Sequence, residues 1–234
     1  MQYSSRSIHI MKMLAEFGTV SVIELAEELE VSVETIRRDL KLLDKKGELI
    51  RVHGGAIGKS YQDEGTSFNN RANSNMDDKK HLVDQVIANM YDGAVIGLDA
   101  SSSSWLVAQS MPDIKCTIVT NSINNITALY DKKNITIIGV GGYFSEKYKA
   151  FYGMIARNNI SRMSLDLCVI SCDGFDEDSG VWDSNEYNYE IKKTFIDVSN
   201  RVILIADKSK YKKKSLLKIC DFDDVDILVS NYLS

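Results

Sequence analysis

Between Ser21 and Leu43 the chain writes two short helical patterns with only Glu30-Val31 between them. Few structures satisfy that arrangement. Ser21 is placed to cap the first helix, with Glu24 three residues on completing a capping box. Ile23, Leu25, Ala26 and Leu29 supply its apolar face. Ser32 caps the second helix, in which Val33, Ile36, Leu40 and Leu43 recur at helical spacing and therefore face a core. Thr35, Arg37, Arg38 and Lys41 are left pointing outward. This is the pattern of a helix-turn-helix, whose second helix lies in a DNA major groove. Arginine there can fork onto guanine, while lysine and threonine suit phosphates.

An ordinary helical hairpin with a solvated, charged face has the same spacing. The residues after the second helix favour the DNA reading. Leu49 to Ile57 alternates apolar and polar residues and contains the pair Gly54-Gly55, as a small β-wing would. Thr19-Val20 is placed to add a short strand to that wing. The run Val31-Ser32-x-x-Thr35-Ile36-Arg37-Arg38-Asp39-Leu40, with Gly47, Arg51 and His53-Gly54-Gly55-Ala56, resembles the winged-helix signature of the DeoR family of bacterial transcriptional regulators. The resemblance implies double-stranded operator DNA as partner. Its contacts are expected from Ser32, Thr35, Arg37, Arg38, Lys41, Arg51 and His53.

A net charge of −5 over 234 residues at first argues against a nucleic-acid partner. Charge must be read locally, however. From Ser32 to His53 six cations face four anions, a local surplus of +2, with most cations on the outward helix face. So modest a patch implies salt-sensitive binding that needs two copies of the domain. The four cysteines, Cys116, Cys168, Cys172 and Cys220, fall in or beside apolar runs and lack zinc spacing. They read as buried free thiols in a reducing cytosol. An N-terminal helix over Arg6 to Phe17, with Ile8, Met11, Leu14 and Ala15 on one stripe, leaves no apolar signal region. No run approaches about 18 apolar residues. The expectation is a cytoplasmic protein without membrane contact, metal or cofactor.

The chain is long enough for one small and one mid-sized domain. Residues 1–58 are expected to form the winged helix-turn-helix. Residues 59–76, polar and poor in apolar side chains, read as a linker. Residues 77–234 are expected to form an α/β effector-sensing and oligomerisation domain. There, short buried runs such as Val95-Ile96-Gly97-Leu98, Leu167-Cys168-Val169-Ile170 and Val202-Ile203-Leu204-Ile205 alternate with helices. That alternation indicates a mainly parallel sheet covered on both faces.

Ligands of open α/β sheets bind beyond the carboxyl ends of the strands. Those ends carry Asp99-Ala100-Ser101-Ser102-Ser103, Thr120-Asn121-Ser122, Gly139-Val140-Gly141-Gly142, Ser171-Cys172-Asp173-Gly174 and Asp207-Lys208-Ser209-Lys210. Singly, each reads as a cap, a turn or a solvated loop. Their recurrence at one sheet edge argues for a pocket, and hydroxyls and N–H groups before a helix suit an anion.

The resemblance extends over this half. DeoR-type sensor domains resemble ribose-5-phosphate isomerase in fold and bind phosphosugars or related metabolites. Their Thr-Asn, Gly-Gly and Asp-x-Ser-Lys motifs are matched by Thr120-Asn121, Gly141-Gly142 and Asp207-Lys208-Ser209-Lys210. Their Asp-Ser-Gly-Thr-Thr is not: serine stands at position 101 in place of glycine. A Cβ resists positive φ by roughly 1 kcal/mol or more, so the loop is expected to be less open, and Ser101→Gly to strengthen phosphate binding. The effector set this implies is Asp99, Ser101, Ser102, Ser103, Asn121, Gly141, Gly142, Asp173, Gly174, Lys192, Asp207 and Lys210. The alternative is a sugar-phosphate isomerase with an appended DNA-binding domain, using Asp173, Asp176, Glu190 and Lys192. Against it, the glycine-rich run that follows the isomerase's acidic motif is replaced by Ser179-Gly180-Val181-Trp182-Asp183. The expectation is a non-catalytic regulator, a repressor of a sugar operon modulated by a phosphorylated sugar, working as a homodimer or homotetramer.

Overall fold

The structure is a computed structural model and describes residues 3–17, 19–52, 54–58, 67–73 and 76–232. The chain divides into two compact units, Met1–Asp63 and Glu64–Ser234.

In the first unit, helices α1 (Tyr3–Phe17), α2 (Val22–Glu28) and α3 (Val33–Lys45) pack with a three-stranded antiparallel sheet. Its strands are β1 (Thr19–Ser21), β2 (Leu49–Val52) and β3 (Gly55–Gly58), in the order β1-β3-β2. Thr19 pairs with Ile57 and Val52 with Gly55, so the strand expected at Thr19-Val20 does join the wing. Gly55 is obligatory there, since a Cβ would sit 1.9 Å from the Val20 carbonyl oxygen. The core holds Ile10, Leu14, Val22, Leu25, Ile36, Leu40, Leu43 and Leu49. Two details differ from the periodicity reading. Ile8 and Ile23 are exposed, and Ile10 and Val22 take the buried positions. The stripe of α1 runs through Arg6, Ile10 and Leu14, and its polar first member hid the register.

The second unit begins with α4 (Phe68–Asn73), which lies inside the stretch read as linker. The Phe68 ring meets Trp105 edge-on at 5.6 Å, and the Phe68 N–H donates to the Lys147 carbonyl. Anchored apolar contact, rather than composition, makes this segment helical. Next come α5 (Met76–Ile87), β4 (Val95–Leu98), α6 (Ser102–Ser110), β5 (Cys116–Thr120), α7 (Ile123–Leu129) and β6 (Ile135–Gly139). A hairpin of β7 (Tyr143–Ser145) and β8 (Ala150–Tyr152) leads into α8 (Gly153–Ile160). The rest is β9 (Leu167–Ile170), β10 (Gly174–Asp176), β11 (Gly180–Asp183), α9 (Glu186–Asp197), β12 (Val202–Ala206), β13 (Leu217–Cys220) and β14 (Ile227–Ser230).

Six strands form one parallel sheet in the order β14-β12-β9-β4-β5-β6. Alternate side chains of each strand enter two cores. Ile96, Leu98, Leu167, Val169, Ile203 and Ile205 meet α5, α6 and α7. Cys168, Ile170, Val202 and Leu204 join the core that holds residues of α8 and α9. The chain proceeds from β4 toward β6 on one side and from β9 toward β14 on the other. The strand order therefore reverses between β4 and β9, where sheets of this kind hold ligands.

Candidate nucleic-acid interface and effector site

In the N-terminal unit, Ser32 caps α3, its hydroxyl accepting from the Thr35 N–H at 3.2 Å and lying 2.8 Å from the Thr35 hydroxyl. Ile36, Leu40 and Leu43 are buried beneath. That leaves Arg37, Arg38 and Lys41 exposed on the outer face. The Arg51 N–H donates to Asp44 at 3.4 Å, tying β2 to α3. Ser32, Glu34, Thr35, Arg37, Arg38, Lys41 and Arg51 together line one shallow groove. Arg37 meets Glu34 only loosely, at 3.5 Å and in solvent, so its charge remains available. His53 lies outside the described residues. Asp39 is different: it is buried and pairs with Arg6 of α1.

In the second unit a pocket opens at the ends of β4, β9 and β12. Behind its lining residues Ser101, Ser171 and Lys192 lies Asp99, fully buried. One Asp99 oxygen accepts from the Ser101 N–H at 3.1 Å and the Ser104 hydroxyl at 2.5 Å. The other accepts from the Ser171 N–H at 3.0 Å, bridging β4 to β9 across the switch point. Ser101 is the N-cap of α6 at φ −82°, its hydroxyl accepting from the Ser104 N–H at 3.0 Å. Positive φ is not adopted. The serine at the family's glycine therefore closes no loop, and the expectation built on backbone strain is corrected.

The pocket is lined by Ser101, Ser102, Ser103, Asp173, Lys192, Asp207 and Lys210, together with Arg71, Lys79, Tyr148, Asp183, Ser184 and Asn188. Lys192 sits between Asp183 and Asp99, 3.6 Å from the latter. Burial alone would lower its pKa, but Asp183, Asp99 and Asp173 outweigh that and hold it up, so it stays charged. Burial raises Asp173, yet Lys192, the Ser184 hydroxyl and Lys210 bring its carboxyl below the usual range. Ser184 donates to Asp173 through both N–H and hydroxyl, and Lys210 stands 3.6 Å away. Lys79 donates to the Arg71 carbonyl at 2.7 Å and the Ser102 hydroxyl at 3.0 Å. Burial pushes it down to about 8. Arg71 donates to the Ala100 carbonyl at 3.3 Å, with its guanidinium 5.5 Å from the Tyr148 ring centre. Four cations (Arg71, Lys79, Lys192 and Lys210), a run of hydroxyls before a helix and a set of hydroxyl-binding groups thus share one cavity. Such a site suits an anionic ligand carrying hydroxyls.

Comparison with known proteins fits this geometry. Residues 6–61 match the DeoR-like helix-turn-helix domain and residues 74–232 the DeoR C terminal sensor domain. The chain belongs to the DeoR family of transcriptional regulators. It is 43% identical to the L-fucose operon activator of Haemophilus influenzae over 95% of this chain and 89% of that one. It is 28% identical to the transcriptional repressor GlcR of Bacillus subtilis over 100% of this chain and 90% of that one. Among solved structures, ribose 5-phosphate isomerase A from Methanocaldococcus jannaschii aligns at 15% identity with a TM-score of 0.45, over 59% of this chain and 55% of that one.

Of the effector residues expected for a DeoR sensor domain, Asn121, Gly141, Gly142 and Gly174 do not line the pocket. The strand order explains the first three. They follow β5 and β6, on the far side of β4 from β9 and β12. Asn121 donates to the Phe151 carbonyl at 3.0 Å. Gly142, at φ 123°, lets the backbone pass where a Cβ would lie 2.6 Å from the Tyr152 carbonyl oxygen. Gly174 packs in the same way against Lys213. Asp99 shapes the pocket from below rather than lining it. The expected effector set lacks Arg71, Lys79, Tyr148, Asp183, Ser184 and Asn188, all of which line the pocket. Lys79 had a signal, since it falls three and four residues before Leu82 and Val83 on the buried face of α5.

Proposed function

We propose that this DeoR-family protein controls a sugar operon, and that a phosphorylated sugar held among Arg71, Lys79, Lys210 and Ser101–Ser103 sets its affinity for operator DNA. The observation that carries the reading is the clustering of those three cations with the N-terminus of α6, beside Asp173 and Asn188 as hydroxyl partners. Operator contact is assigned to Ser32, Thr35, Arg37, Arg38, Lys41, Arg51 and His53. The relatives' names support a sugar operon as the target and include both an activator and a repressor. The proposal is therefore a change in operator occupancy, whose sign a promoter fusion reads.

One winged helix covers a few base pairs, so a homodimer or homotetramer is the working form, in the cytoplasm. Residues 1–58 carry DNA binding and residues 77–234 self-association and, together with Arg71 of α4 in the connecting stretch, effector sensing. The protein acts without catalysis. Asp176 accepts the Asp178 and Ser179 N–H groups in a turn, and Glu190 pairs with Arg157 at 3.0 Å. Both lie outside the pocket, so of the four residues the isomerase alternative would use only Asp173 and Lys192 line it.

Isothermal titration against phosphorylated and free sugars, followed by operator titration with each ligand, tests the reading. A phosphorylated sugar is expected to bind and to change operator affinity by roughly 5–150-fold. Binding by free sugars alone would overturn the anion assignment. Turnover of ribose 5-phosphate that disappears in Asp173→Asn would overturn the non-catalytic one.

A further inference from the structure

Where hairpin β7–β8 runs into α8, the second unit gathers large apolar side chains that it leaves in water. Tyr143 is 73% exposed, Met154 65%, Ile155 63% and Tyr187, in the first turn of α9, 38%. These residues adjoin one another. Tyr143 pairs with Tyr152 across the hairpin, and its Cβ lies 4.0 Å from where a Cβ on Gly153 would stand. Met154 and Ile155 follow directly, while Ala156 and Ile160 turn into the core. The Tyr187 ring lies 5.8 Å from that of Tyr152. Tyr152 in turn meets Tyr148 of the pocket wall at 6.0 Å.

We propose that a second copy of the chain docks on this face, each protomer setting Tyr143, Met154, Ile155 and Tyr187 against the same four residues of the other. The inference rests on the reading that an operator takes two winged helices, and it adds the surface that joins them.

Area and charge both fit. At roughly 200 Å² for a fully exposed aromatic or long aliphatic residue, the four leave about 500 Å² in water. A specific contact covers about 800 Å² on each partner, of which about 65% is apolar in homodimers. The face therefore supplies nearly the whole apolar share of one such contact. Two-fold association brings a surface against itself, so an unpaired charge there meets its own like. Here the neighbouring charges are matched within the protomer. Glu146 stands 3.7 Å from Lys149, Arg157 pairs with Glu190 at 3.0 Å, and Lys147 lies 5.3 Å from the Tyr148 ring centre. Burial and Glu190 push the Glu186 carboxyl, next to Tyr187 in the chain, up to about 7, which leaves it about half charged at that pH. A nucleic acid or a strongly charged protein would find little here to answer its charge. An equally neutral second copy needs none.

The test joins sedimentation velocity of the full chain, without DNA or effector, to hydroxyl-radical footprinting over a dilution series. The chain is expected to associate at micromolar concentration. In that state Tyr143 and Met154 are expected to be oxidised several-fold more slowly than after dilution, with Tyr130, exposed at the end of α7, unchanged. Ile155→Glu is expected to weaken association by about a hundredfold or more, because each contact then holds two unpaired like charges. Tyr130→Glu is expected to leave it as it is. An oligomer in which Tyr143 and Met154 react as fast as in the dilute chain overturns the inference and points to an occupant of another kind. Ile155→Glu that associates like the wild type overturns it too. A wild-type chain that stays monomeric overturns it together with the two-copy reading. The footprint decides the matter on the wild-type chain alone if a variant fails to fold.

Discussion

The Arg6 guanidinium of α1 donates to the Asp39 carboxylate of α3 across 2.6 Å, with both side chains buried. The helix that presents Arg37, Arg38 and Lys41 is therefore pinned from behind by a charge pair as well as by Ile36, Leu40 and Leu43. Removing one partner leaves an uncompensated buried charge, which costs about 3–5 kcal/mol, whereas an apolar pair of similar volume is often neutral. Asp39→Ala is expected to unfold or loosen the N-terminal unit and abolish operator binding. Arg6→Met with Asp39→Leu is expected to recover most of the stability. Hydrogen exchange in α3, measured in the full chain, separates the two outcomes.

Arg38 is exposed in the groove formed by α3 and β2, and no carboxylate is paired with it among the described residues. Arg38→Ala is expected to cost about 1–3 kcal/mol in operator affinity, with relaxed discrimination at one base pair. Fluorescence anisotropy on the operator and on single-base variants, over a range of salt, reads both effects. A uniform loss on every sequence with a flatter salt slope would place Arg38 on phosphate instead.

Ser101 is an N-cap at an ordinary extended φ, so glycine has nothing to relax there. Ser101→Gly is expected to leave effector affinity unimproved and lower the stability of the sensor unit by a few tenths of a kcal/mol. Ser101→Ala, which also forfeits the cap, is expected to cost about 1 kcal/mol. Urea unfolding followed at Trp105 gives both numbers. Stronger effector binding in Ser101→Gly would restore the strain argument.

Lys79, held near 8, is charged below that value and neutral above it. Anion binding favours the charged form and so raises its pKa. Effector affinity is expected to fall as pH rises through about 8, and binding at pH 8 is expected to take up protons. Titration calorimetry at that pH in two buffers of different ionisation enthalpy measures the uptake directly. Lys79→Met should remove it.

Elements whose side chains follow a period of 3.6, or form a short run rich in β-branched and apolar residues, were legible in the sequence. Helices α2, α3, α5 and α9 and all six parallel strands are of this kind. Strand order was not legible, because a βαβ alternation fixes parallelism without saying which strands are neighbours. Hence Asn121 and Gly141-Gly142 were placed with Asp173 and Asp207, although β4 separates them. The β7–β8 hairpin and the β10-β11-β13 sheet use strands of three or four residues, too short to declare a period. More could have been read from charged side chains lying on apolar stripes. Arg6 precedes Ile10 and Leu14, Lys79 precedes Leu82 and Val83, and Lys192 sits between Ile191 and Phe195. In each case the interruption of the stripe marks a buried polar contact.

The pocket draws on residues from Arg71 to Lys210, and its two middle walls, the ends of β4 and β9, become neighbours only after β5 and β6 have already been made. Domains generally fold as units, the N-terminal one first, as a chain leaves the ribosome. The winged helix is complete by residue 58, some 150 residues before Lys210. Each newly made molecule thus has a DNA-reading head before it has anything with which to sense a metabolite. During that interval it is deaf to the signal that governs the finished protein.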